Sequence, residues 1–74
     1  MNLKELKIER IRKEITQKEM AKKMNISEVS YNRKEQGKRS FSLQEIKSIA
    51  AILGLDCLKV NEIFFDNELT NCNS

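Results

Sequence analysis

The sequence predicts an all-α fold, a compact bundle of five short helices in one domain. Three observations predict it. The 74-residue chain has no Pro and only two Gly, which argues against a turn-rich β fold. Its apolar residues recur at helical spacing, without the alternation of a strand. Two capping boxes, Thr16-x-x-Glu19 and Ser42-x-x-Glu45, mark helix starts.

The first helix is placed over roughly residues 2–14, with Leu3, Leu6, Ile11 and Ile15 sharing an inward stripe. Thr16 starts the second, about residues 17–24, with Met20, Ala21 and Met24 inward. Asn25 stands where that helix should stop, because Asn tolerates the left-handed conformation better than most residues with a Cβ. Ser27 is the N-cap candidate of the third helix, about residues 28–36, and Gly37 ends it. A basic loop, "KRSFS", follows. Ser42 opens the fourth helix, about residues 43–53, with Leu43, Ile46, Ile49, Ala50 and Leu53 on one face and Gly54 at its end. "LKVNEIFF" gives a last short helix, and residues 67–74 read as a polar, frayed tail beyond a domain of residues 1–66.

Composition narrows the function. With 39% apolar and 34% charged residues, the chain suits a compact, charged, soluble fold. It has no apolar run of membrane-spanning length and no signal-peptide pattern, so a cytoplasmic protein is expected. Cys57 and Cys72 are not spaced as a metal site, and no His is present to complete one. Neither metal nor cofactor is expected, and a disulfide is not expected in a reducing compartment. The chain shows no Ser/His or Cys/His dyad and no glycine-rich phosphate loop, and so small a bundle has little room for a catalytic cleft or a small-molecule site. Residues 1–41 hold twelve Lys/Arg against six Asp/Glu, whereas residues 42–74 hold two against five. A basic first half suits a polyanion.

The third helix has polar ends and almost no greasy face. With the second helix it makes a helix-turn-helix candidate. Ala21 supplies the small residue needed at a close crossing, and Asn25 supplies the turn. Met20, Met24, Ile26 and the ring of Tyr31 lock the pair. Lys34 falls where a large apolar residue is expected, and its stem can pack while the ammonium reaches water.

"RIRKEITQKEMAKKMNIS", "RKEQGKR" and "SLQEIKSIAAILG" stand in an order and spacing that resemble the lambdoid-phage repressor and Cro group of helix-turn-helix proteins, the broad Xre family. The resemblance covers about residues 3–65, and is nearest to small regulators of phages and mobile elements in low-GC Gram-positive bacteria. It implies a lambda repressor-like DNA-binding domain acting as a transcriptional repressor or Cro-like regulator. The third helix would enter the major groove of double-stranded DNA, where base edges present donors and acceptors. Glu28, Val29, Asn32 and Arg33 project together and are the expected base readers. Arg33 suits guanine O6 and N7, and Asn32 suits adenine N6 and N7. Glu28 suits cytosine N4, and Val29 a thymine methyl.

Phosphate contacts are expected from Gln17, Ser27, Lys38, Arg39 and Ser40. Arg10 and Glu35 match positions that form a semi-buried ion pair in the family, so Arg10 is expected to be mainly structural. A homodimer on a near-palindromic operator is implied, with recognition helices about 34 Å apart. The rival reading is an antitoxin-like or anti-repressor module that binds a protein. Apolar Ile63, Phe64 and Phe65 support it as a dimer or partner surface, and the alternative for the same residues is core packing of the last helix over the first.

Overall fold

Both capping boxes form. Thr16 Oγ1 accepts from the Glu19 N–H at 3.0 Å and the Glu19 carboxylate accepts from the Thr16 N–H at 3.0 Å. Ser42 and Glu45 repeat the exchange at 3.1 and 2.8 Å. The computed structural model describes residues 1–66, and among them five helices follow one another: α1 Leu3–Arg12, α2 Gln17–Met24, α3 Glu28–Glu35, α4 Leu43–Leu53 and α5 Cys57–Phe64. Asn25 takes the left-handed conformation, φ +59°, at the α2 C-terminus, and Gly54 does the same after α4 at φ +65°. The expected tail, 67–74, lies outside the described residues.

The core is one cluster of Leu6, Met20, Ala21, Tyr31, Phe41, Ile46, Ile49, Leu53, Ile63 and Phe64. Phe41, in the basic loop, joins α3 to α5: its ring meets Phe64 edge-on at 5.7 Å and Tyr31 at 6.3 Å. Ile63 and Phe64 are 0% and 4% exposed and belong to the core, as packing of the last helix over the first requires, which leaves little of either for a dimer or partner contact. Phe65 is half-buried against the same core. These residues face inward because α5 folds back over α1. The Asn2 N–H donates to the Ile63 carbonyl at 2.6 Å, and Lys59 bridges Glu5 at 3.2 Å and Glu62 at 3.1 Å.

Other expectations also need correction. Helix α1 ends at Arg12, short of residue 14, and α3 ends at Glu35 with Gln36 as its C-cap. Ile11 is 55% exposed. It lies five residues after Leu6, and so on the far side of the helix, while buried Glu9 and Arg10 hold the inward positions. Leu43 is 61% exposed because the α4 stripe of Ile46, Ile49 and Leu53 runs past the edge of the core at its first residue. Cys57 is disulfide-bonded, which was not expected; Cys72 lies outside the described residues.

Candidate nucleic-acid interface

Helix α3 buries only Tyr31 and Glu35. A helix with so little apolar contact needs other attachments, and three are present. Ser27 caps it, its Oγ accepting from the Ser30 N–H at 3.1 Å. Lys34 forms an ion pair with Glu45, which ties α3 to the capping box of α4. Where an apolar residue was expected, the Lys34 stem packs and the charge finds a partner instead of water. The Glu45 carboxyl is lowered: burial acts to raise it, and the Lys34 ammonium and Ser42 N–H together overcome that.

The third attachment is the Glu35 carboxylate. Arg10 donates to it from Nε at 2.9 Å and from Nη2 at 3.2 Å, and Tyr31 donates its hydroxyl at 2.6 Å. Arg10 also donates from Nη1 to the Ile15 carbonyl at 2.7 Å, which fixes the turn before α2. Burial acts to raise the Glu35 carboxyl, but the hydrogen bonds from Arg10, Tyr31 and Gln17 lower it, so it is ionised at neutral pH. Burial, then the bond to Glu35, pushes the Tyr31 hydroxyl far above its ordinary value.

From Glu35 the network runs outward. Gln17 Nε2 donates to Glu35 Oε1 at 3.1 Å, and Asn32 Nδ2 donates to Gln17 Oε1 at 2.8 Å. Gln17 was expected to hold phosphate with its amide; that amide is engaged within the protein at both ends.

The four expected base readers come together. Glu28, Val29, Asn32 and Arg33 line one hollow of about 290 Å³ with Gln17, Gln36 and Lys38. Val29 is 61% exposed, Glu28 and Arg33 are exposed, and Asn32 is half-buried beside Gln17. Of the expected phosphate contacts, Gln17 and Lys38 border this hollow; Ser27, Arg39 and Ser40 are exposed at the two ends of α3 but do not line it.

An adjoining groove of about 760 Å³ runs between α1, the start of α2 and α3. Lys4, Lys7 and Lys18 line it beside Arg10, Gln17 and Asn32. Sequence reasoning missed these three lysines. The excess of basic residues in the first half signalled cations, and the i, i+3 spacing of Lys4 and Lys7 puts both on one side of α1, but neither shows that this side faces α3.

Among the described residues no helix is long and apolar enough to cross a membrane, and no cluster of His, Cys, Asp and Glu could hold a metal ion. A family model described as helix-turn-helix matches residues 6–59, from Leu6 in α1 to Lys59 in α5. No curated protein matches the chain, and no solved structure does.

Proposed function

The chain belongs to the Cro/C1-type helix-turn-helix (Xre) family of DNA-binding regulators, and from that premise we propose that it is a sequence-specific, repressor or Cro-like regulator of the phage or mobile-element type. It reads the major groove of double-stranded DNA with the outer side of α3. The observation that carries this reading is the convergence of Glu28, Val29, Asn32 and Arg33 on one open face, beside Lys38 and above a buried carboxylate network. Arg33 is the strongest base reader, since a guanidinium can bond guanine O6 and N7 together. Ser27, Lys38, Arg39 and Ser40 hold phosphates at the two ends of the helix, with backbone N–H groups at the start of α2. Lys4, Lys7 and Lys18 extend the cationic face toward α1.

The protein acts in the cytoplasm, and it works as a homodimer on a near-palindromic operator because one short helix alone reads too few base pairs. The partner-binding alternative leaned on Ile63, Phe64 and Phe65, and the burial of the first two removes that support.

Binding to duplex DNA measured against salt tests the proposal. Gripping about four phosphates per copy gives a slope of log K against log salt of about −4 per copy. Negligible duplex binding at low salt is the contrary result.

A further inference from the structure

Gln17 hydrogen-bonds both the buried carboxylate and Asn32 on the open face, and its amide has no freedom of orientation. An ionised carboxylate only accepts hydrogen bonds. Glu35 therefore obliges Gln17 to present Nε2, which turns Gln17 Oε1 toward Asn32. That oxygen also only accepts, so Asn32 must present Nδ2 to it. One carboxylate, itself held by Arg10 and Tyr31, thus sets the direction of two successive amides.

We propose that Gln17 is a positioning residue for base reading: held by Glu35, it fixes the Asn32 amide with nitrogen toward α2, so that the Asn32 carbonyl oxygen leads toward the base edge and takes a hydrogen bond from an exocyclic amine. The inference rests on the DNA-reading function proposed above. An unrestrained Asn can meet a duplex in either sense. Oxygen first, it meets the N6 amine of adenine or the N4 amine of cytosine; nitrogen first, it meets guanine O6 and N7 or thymine O4. A preset amide rejects the second set and loses less freedom on binding. Asn32 lines both the hollow over α3 and the adjoining groove, so the preset amide stands where a duplex would lie. Gln17 acts through Asn32 and need not touch a base.

The test is selection of binding sites from randomised duplexes by the wild-type protein and by Gln17→Met, Gln17→Ala, Asn32→Ala and the double variant Gln17→Met/Asn32→Ala. Wild type should recover a motif. Each Gln17 variant should lose preference, by about tenfold, at the same base-pair position that Asn32→Ala loses, and keep the position read by Arg33. The double variant should lose no more than Asn32→Ala alone. The two Gln17 substitutions share only the loss of the amide, and circular dichroism melting identifies a folding defect peculiar to one of them. A Gln17 variant that keeps the whole motif and binds every duplex more weakly by one common factor overturns the proposal, because a phosphate contact behaves that way. Loss at a position other than that of Asn32 also overturns it. Failure of the underlying reading looks different: wild type then recovers no motif, and the inference falls with it.

Discussion

Helices α3 and α4 are neighbours in sequence, and they are held in opposite ways. Helix α4 is amphipathic and buries Ile46, Ile49 and Leu53, so its own apolar stripe keeps it in place. Helix α3 buries Tyr31 and Glu35 alone, and Val29 and Arg33 stand out from the protein. What holds α3 comes from elsewhere: Arg10 from α1, Gln17 from α2 and Glu45 from α4. A helix whose outer face is left for a ligand gives up apolar anchoring, and directed polar contacts from the surrounding helices replace it.

The largest expected effect comes from cutting the strongest of those contacts. Arg10→Ala leaves the Glu35 carboxylate buried without its cation and should cost about 3–5 kcal/mol, read as a lower denaturant midpoint. Its pH profile makes the cause specific. The folded-state pKa of Glu35 is lowered, so its contribution to stability is present above the ordinary carboxyl range and is lost as pH falls through the lowered value. Without Arg10 that lowering weakens, and the acid-side loss of stability relative to wild type shrinks. An unchanged midpoint and profile would mean that the Arg10–Glu35 pair does not hold α3.

Leu53→Ala breaks the other side of the comparison. It leaves a cavity in the α4 stripe and should cost about 2–5 kcal/mol, with no change in the acid profile. If its loss varied with pH as that of Arg10→Ala does, the division between an apolar helix and a polar one would not hold.

The same contrast explains what could be read in the sequence. Helix limits were legible where local chemistry sets them. Thr16, Ser42, Asn25 and Gly54 act within a turn of their own position, and α2 and α4 begin and end where those signals stand. The face shared by Glu28, Val29, Asn32 and Arg33 follows from helical periodicity alone. Contacts that depend on how helices pack were not legible. Phe41 sits among basic loop residues yet reaches the core, and the apolar pattern of Ile63 and Phe64 suits a partner surface or a core until α5 folds over α1. In α1 the apolar pattern points to Ile11, whereas the buried face is Leu6 together with charged Glu9 and Arg10. The pairing of Gln17 with Asn32 joins residues fifteen apart through geometry that no local pattern encodes.

The account stands or falls on which surface of α3 meets the duplex. Two-dimensional NMR of the labelled protein, titrated with a duplex recovered by selection, tests this directly. The account predicts that the largest shifts fall on Glu28, Val29, Asn32 and Arg33 and on the Lys38–Ser40 loop, with α5 almost unmoved. Shifts centred on α5 or on the outer side of α4, with α3 silent, would contradict it.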